Sequence, residues 1–113
     1  MLSIIFPIRD EEENIEKIIN LFKTNDIPFQ YEIIFVNDFS LDSSLNIIKK
    51  YSDENIFIRY ADNKNKGIGG AINLGINISK GNYCCVMMAD LSDDIGDMTR
   101  YYKTITENNL DAV

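Results

Sequence analysis

Positive charge is scarce in this sequence. Its 113 residues include 11 Lys and Arg against 18 Asp and Glu, which gives a net charge of −7 at pH 7. The cations form no long run. Binding to the phosphate backbone of nucleic acid depends mainly on clustered cations. The sequence therefore argues against a nucleic-acid partner.

Long apolar segments and cysteines are also scarce. The wholly apolar stretches span only a few residues each, so no targeting or membrane-spanning segment is visible. The only cysteines, Cys84 and Cys85, are adjacent in an apolar run, where a strand would point them to opposite faces. A disulfide between them would be strained. We therefore expect two reduced core cysteines, which fits a cytosolic setting.

The distribution of apolar residues predicts one α/β domain. A hydrophobic content of 45% allows a single compact core. Short apolar runs alternate with stretches of helical periodicity. The predicted strands are Leu2–Pro7, Tyr31–Val36, Asn55–Tyr60 and Tyr83–Met88. The predicted helices are Glu12–Lys23, a helix carrying Leu45, Ile48 and Tyr51 that Ser40 or Asp42 could cap, Gly67–Ser79 and Ile95–Glu107. Four successive β-α units predict a parallel sheet between helical layers, that is, a three-layer α/β/α, Rossmann-like domain.

The last residues resemble the start of a further strand. Leu110–Val113 is apolar in character and has no continuation or cap. We therefore expect residues 1–113 to be a single, incomplete domain, truncated at its C-terminus. Because truncation would leave a sheet edge and apolar surface uncovered, self-association of the fragment is a further expectation.

Carboxylates follow three of the apolar runs directly. They are Asp10 with Glu11, Asp38 and Asp90. The carboxyl ends of parallel strands meet at one edge of a sheet, so we expect these acids to lie close together. A ligand at that edge would face a ring of acids, and a neutral or negative ligand would need a metal ion to bind there.

Four segments carry a resemblance to a known family. They are Ile5–Asn14, Tyr31–Asp42, Asn65–Gly75 and Gly81–Asp94. Together they resemble the glycosyltransferase family 2 enzymes of the GT-A fold, most closely the dolichol- or polyprenyl-phosphate mannosyltransferase-like branch. The resemblance covers essentially the whole chain, but only the nucleotide-binding half of such a domain.

The resemblance implies a nucleoside site in the first two segments. Pro7 and Glu11 would line the base and ribose, and Asp38 would accept a hydrogen bond from a base N–H. Arg9 stands where the family usually has Tyr, and its guanidinium plane could stack on the base or pair with a phosphate. Asn37 replaces the first acid of the family's second motif.

The other two segments imply a phosphate and metal site. A glycine-rich segment that includes Gly67 starts the third helix, and its backbone N–H groups would face the phosphates. The cation of Lys66 would offset the phosphate charge. In the family an Asp-x-Asp pair holds Mg²⁺ or Mn²⁺, but here Met88 replaces the first Asp. A thioether is a poor ligand for a hard cation, so the site would depend on Asp90, with Asp93 or Asp94, water and the diphosphate.

The resemblance implies an inverting, metal-assisted transferase that takes a sugar from a nucleoside diphosphate-sugar. The acceptor would be polyprenyl phosphate, at the cytoplasmic face of the membrane, or a glycan. The acceptor side, with any catalytic base, would lie beyond Val113, so this chain alone is expected to bind the donor without transferring the sugar.

Two other function classes fit parts of the pattern. A receiver-like signalling or interaction domain is also an α/β unit of this size, and Asp62 could be its phosphate acceptor. A nicotinamide-binding Rossmann unit is disfavoured because Ile72 occupies the third glycine position. For Asp38, Ser40 and Asp90, capping of the next helix is the structural alternative.

Overall fold

Strands and helices alternate along the whole described chain. The computed structural model describes residues 1–91 and 94–108. Its strands are β1 (Leu2–Ile8), β2 (Tyr31–Asn37), β3 (Ile58–Asp62) and β4 (Tyr83–Val86). Its helices are α1 (Glu12–Thr24), α2 (Ser44–Glu54), α3 (Ile68–Ile78) and α4 (Ile95–Glu107). The predicted strand at Leu110–Val113 lies outside the described residues.

The four described strands form one parallel sheet in the order β3-β2-β1-β4. Strand β1 is a central strand of this sheet, because it pairs with β2 on one side and with β4 on the other. All seven residues of β1 are buried, as its continuous apolar run predicts. The predicted parallel sheet is confirmed.

Helices cover both faces of the sheet. The larger core lies between one face and helices α1, α2 and α4, and the smaller core lies between the opposite face and α3. Helix α1 shows the cause: Ile15, Ile18, Ile19 and Phe22, spaced at helical intervals, are its buried residues. The predicted three-layer α/β/α architecture is confirmed.

Two predicted strands differ from the structure at their ends. The third strand begins at Ile58 and not at Asn55, because Asn55 ends α2 and Ile56 is fully exposed. The fourth ends at Val86, two residues before Met88. It pairs only with β1 among the described strands, so Cys84 is exposed and Cys85 only half-buried. The expectation that both cysteines belong to the core is therefore wrong.

A polar network lies among the N-terminal ends of the strands. Glu32 is 4% exposed, and its Oε2 accepts hydrogen bonds from Ser3 Oγ at 2.6 Å and Lys80 N at 2.7 Å. Its Oε1 pairs with Arg59 Nη1 at 2.8 Å. Ser3 Oγ in turn accepts from Gly81 N at 2.8 Å. These bonds attach the turn after α3 to β1 and β2.

No helix in the described part of the chain is long and apolar enough to cross a membrane.

Candidate functional site

An open cleft lies at the C-terminal edge of the sheet. Its volume is about 360 Å³. The ends of β1, β2 and β4 and the start of α3 supply its lining residues, which are Pro7, Ile8, Arg9, Glu11, Asp38, Gly67, Ile68, Met88, Ala89 and Asp90. Six of the seven residues predicted to bind a nucleotide-sugar are therefore together, and Lys66 is the one outside the lining.

The three loops that follow these strands share a strained backbone. Asp10, Phe39 and Leu91 have φ angles of 53°, 59° and 65°, in the left-handed region that non-glycine residues seldom adopt. Each follows one of the strands β1, β2 and β4 by a few residues. Such conformations cost of order 1 kcal/mol and persist only where surrounding contacts hold them. All three lie at the edge of the sheet where the cleft is.

Reciprocal hydrogen bonds join the first two of these loops. Asp10 Oδ1 accepts from the backbone N of Leu41 at 2.6 Å and of Asp42 at 3.2 Å. In return, Asp42 Oδ2 accepts from Glu12 N at 3.1 Å, and Glu12 Oε2 accepts from Ser43 N at 3.0 Å. Burial opposes charge on Asp42, but hydrogen bonds from the Ser44 hydroxyl and from the backbone N of Ser44 and Glu12 outweigh it and lower the pKa of its carboxyl. The acids here fix backbone groups of two loops.

Helix capping follows a different pattern from the one expected. Asp42 Oδ1 accepts from the backbone N of Ser44, the first residue of α2, at 2.9 Å, so Asp42 bonds the start of this helix, although Ser43 occupies the N-cap position. Ser40 Oγ instead accepts from Asp10 N at 3.0 Å. Ser40 therefore contacts the neighbouring loop, and its predicted cap is wrong.

Glu11 lines the cleft directly before α1. Its backbone N donates to Ser44 Oγ at 2.9 Å, which satisfies an amide at the helix start. Its side-chain Oε2 accepts from Asn14 Nδ2 at 2.8 Å. The side chain is half-buried, so it is both held in place and accessible from the cleft.

Asp38 is the buried acid of the cleft. It is 5% exposed, and its Oδ1 accepts from Gly67 N and Asn63 Nδ2, both at 3.0 Å. Its Oδ2 lies 3.2 Å from the same Gly67 N. Neither bond caps α2, so the capping alternative is wrong for Asp38. The bonds attach the loop before α3 to the end of β2, and a role in base recognition stays a prediction.

Asn63 is a site-building residue that sequence reasoning missed. It is 4% exposed, and its Nδ2 donates to Asn65 O at 2.6 Å as well as to Asp38. Its Oδ1 accepts from Asn65 N at 3.2 Å. An Asn directly after a strand often bonds the backbone two residues on, and this was the available signal.

Gly70 gives a direct test of this loop. A Cβ at Gly70 would lie 2.2 Å from Asn65 O, whereas one at the adjacent Gly69 would meet nothing within 4 Å. Gly70→Ala is expected to displace the loop and lower the free energy of unfolding by about 1–3 kcal/mol. Gly69→Ala, the matched control, is expected to leave it unchanged or raise it slightly. Urea denaturation of both variants measures the difference, and equal stabilities would contradict the packing of this loop.

Arg9, Met88 and Asp90 lie in the same cleft, and all three are exposed. Arg9 makes no hydrogen bond or ion pair with the described residues. Lys66 is also exposed but lies outside the lining. The predicted ligand Asp93 lies outside the described residues.

The oxygen ligands available for a metal in the cleft are few. In the part of the chain that the structure describes, no three His, Cys, Asp or Glu side chains are grouped to hold a metal ion. Asp90 is one carboxylate, and the neighbouring Met88 offers only a thioether. Mg²⁺ is commonly bound by one or two carboxylates together with substrate phosphates. The donor set therefore fits a cation held jointly with a diphosphate.

The sequence profile described as Glycosyl transferase family 2 matches residues 3–113, nearly the full length of the chain. The chain belongs to this family. This membership replaces the receiver-like alternative, and Asp62, its predicted phosphate acceptor, bonds Asn37 Nδ2 at 2.9 Å outside the cleft lining.

Relatives of this glycosyltransferase family 2 chain are considerably longer. It is 33% identical to the dolichyl-phosphate beta-glucosyltransferase of Dictyostelium discoideum in an alignment of 109 positions that covers 88% of this chain and 33% of that protein. It is 33% identical to the poly(ribitol-phosphate) beta-glucosyltransferase of Bacillus spizizenii in an alignment of 115 positions, gaps included, that covers 97% of this chain and 18% of that protein. The chain thus spans a third or less of these relatives.

Solved structures share its fold at lower identity. S. aureus TarS in complex with UDP-GlcNAc superposes with a TM-score of 0.78 and 22% identity, over 96% of this chain and 32% of that one. The mannosyltransferase PcManGT of Pyrobaculum calidifontis, in complex with GDP-Man and Mn²⁺, gives a TM-score of 0.76 and 17% identity, over 92% and 32%. The expected GT-A fold is confirmed.

Proposed function

We propose that this chain is the donor-binding part of a glycosyltransferase and binds a nucleoside diphosphate-sugar in the cleft. The observation that carries the proposal is the convergence of Pro7, Arg9, Glu11, Asp38 and Asp90, from three separate chain segments, on one cavity. The family membership and the sugar nucleotides bound by TarS and PcManGT support it.

Different residues of the cleft bind different parts of the donor. Asp38 has lone pairs beyond the bonds to Gly67 and Asn63, so it can accept a hydrogen bond from a base N–H. Glu11, held by Asn14, contacts the ribose. Asp90 follows β4, which lies on the side of β1 opposite to β2, and would hold Mg²⁺ or Mn²⁺ that is shared with the diphosphate and neutralises charge on the leaving group.

The proposed transfer proceeds with inversion at the anomeric carbon. The acceptor oxygen forms the new glycosidic bond as the bond to the diphosphate breaks. A polyprenyl phosphate, or a glycan, is the proposed acceptor, in line with the names of the similar enzymes. A phosphate acceptor is already a nucleophile and requires no strong general base, whereas a sugar hydroxyl does.

A thermal-shift panel tests donor binding. The purified chain is heated with UDP, GDP, CDP and dTDP sugars in the presence of Mn²⁺. One base is expected to raise the melting temperature selectively, because a ligand at 100 times its Kd stabilises by about 2.7 kcal/mol.

Asp38→Asn is expected to reduce that shift, measured from its own unliganded melting temperature, since an amide cannot offer two acceptors. The matched control is Asp26→Asn, in the exposed segment between α1 and β2. No shift with any of the four sugars would contradict the proposed function.

A further inference from the structure

Arg9 lies beside Asp38 at the end of the sheet. The parallel register of β1 and β2 pairs Ile8 with Asn37, and the next residues along the two strands are Arg9 and Asp38. The backbones of neighbouring strands are about 5 Å apart. Arg9 therefore enters the cleft directly next to the acid proposed to bind the base.

Asp90 approaches the cleft from the other side of β1. It follows β4, which pairs with β1 on the side opposite to β2, and it lines the same cleft as Arg9. Because β1 lies between β2 and β4, Arg9 is at the middle position of the cleft. A donor whose base is at Asp38 and whose metal is at Asp90 has its phosphates between them, over β1.

The position of Arg9 matters because most charged residues of the cleft are acids. Its ten lining residues include three acids, Glu11, Asp38 and Asp90, and Arg9 is the one cation among them. A diphosphate would be repelled by the acids unless a cation offsets them. Arg9 is exposed and has no hydrogen bond or ion pair with the described residues, so its guanidinium is available to a ligand.

Other phosphate-binding groups in the cleft are weaker candidates. The backbone N of Gly67, at the start of α3, already donates to both oxygens of Asp38. Lys66 is outside the lining. Met88 leaves the acid pair for a cation incomplete. Arg9 is therefore the best candidate to bind a diphosphate, because it is positively charged, has no partner among the described residues and lies in the cleft.

We propose that Arg9 binds the diphosphate of the donor. Its positive charge compensates for weaker binding of a metal cation at Asp90, where Met88 replaces the other acid of the pair. The inference rests on the proposed function. A guanidinium can form two parallel hydrogen bonds to phosphate oxygens, which gives both charge and orientation. Stacking of Arg9 on the base is the competing assignment.

Calorimetry with phosphate-free and phosphate-bearing ligands separates the two assignments. The ligands are uridine and UDP, guanosine and GDP, cytidine and CDP, thymidine and dTDP, each with EDTA and with Mn²⁺. Arg9→Gln is expected to weaken the preferred nucleoside diphosphate about tenfold in EDTA, and less with Mn²⁺, and to change the matching nucleoside less than twofold. The control Lys64→Gln removes an exposed cation outside the cleft and is expected to change neither ligand.

Two further variants test charge against planarity. Arg9→Lys keeps the cation and is expected to retain diphosphate affinity better than Arg9→Tyr, which keeps a planar group. Equal losses for nucleoside and diphosphate, or full affinity in Arg9→Tyr, would assign Arg9 to the base and overturn the inference. Binding of none of the ligands by the unchanged chain would instead contradict the proposed function.

Discussion

Replacing Glu32 with Gln is expected to lower the free energy of unfolding by about 2–3 kcal/mol at neutral pH, because it removes the charge of a buried carboxylate that pairs with the half-buried Arg59. Both carboxylate oxygens are acceptors in this network: Oε1 for Arg59, and Oε2 for Ser3 and Lys80. A Gln side chain has a single acceptor oxygen, so in either orientation its NH₂ group faces a donor. Arg59, which also donates to Ile78 O at 2.8 Å, loses its counter-charge.

The pH dependence identifies Glu32 as the source of this loss. Burial raises the pKa of its carboxyl, but hydrogen bonds from Ser3, Arg59 and Lys80 and the charge of Arg59 outweigh burial, so the folded pKa lies below 4.5. The stabilisation is therefore complete above the unfolded pKa and is lost as the pH falls through the folded one. The difference between wild type and variant is expected to shrink below pH 4.5.

Urea denaturation between pH 3 and pH 7 measures this difference. The matched control is Glu54→Gln, at the exposed end of α2, with an expected change within about 0.5 kcal/mol. An equal loss for Glu32→Gln at pH 3 and pH 7 would show that its charge does not stabilise the fold.

The sequence predicts elements well where one periodicity dominates. The helix at Ile95–Glu107 has the predicted bounds, and α1 ends one residue later than predicted. Residues 55–57 are predicted as the start of the third strand but lie before it, because a β-rich composition cannot distinguish a strand from the turn that precedes it. Strand order decides which strands lie at an edge, and adjacent cysteines in a short apolar run contain no information about it.

The candidate site, like the fold, is only partly predictable from the sequence. Strand-end acids are visible in the sequence, and parallel strands bring three of the four, Glu11, Asp38 and Asp90, to one cleft, whereas Asp10 bonds the neighbouring loop. Their partners are not visible, because they depend on which strands are neighbours. Asp38 reaches Gly67, which is 29 residues later, only because β3 lies beside β2. Local patterns thus predict the chemistry at this edge, whereas the contacts of each acid require the three-dimensional fold.

Restoring a carboxylate at position 88 is expected to create stronger metal binding. Burial alternates along the chain after β4: Met87 and Ala89 are buried, and Met88 and Asp90 are exposed and line the cleft. Because Met88 and Asp90 line the same cleft, the acid in Met88→Asp would add a second carboxylate to the cleft that contains Asp90. Added ligand charge raises the affinity for hard divalent cations.

Calorimetry with Mn²⁺ measures the change. The unchanged chain is expected to give no heat with Mn²⁺ alone and weak binding with the preferred nucleoside diphosphate. Met88→Asp is expected to tighten Mn²⁺ binding with that nucleotide by about tenfold, or about 1.4 kcal/mol.

Leu41→Asp adds the same charge at a 94% exposed residue outside the cleft lining, so it controls for net charge alone. If it matched Met88→Asp, a general attraction between the acidic chain and Mn²⁺ would explain the result. Tight Mn²⁺ binding by the unchanged chain would instead place sufficient ligands elsewhere and make Met88 irrelevant to the metal. A gain confined to Met88→Asp would show that the cleft geometry for a metal is intact and that one side chain limits it.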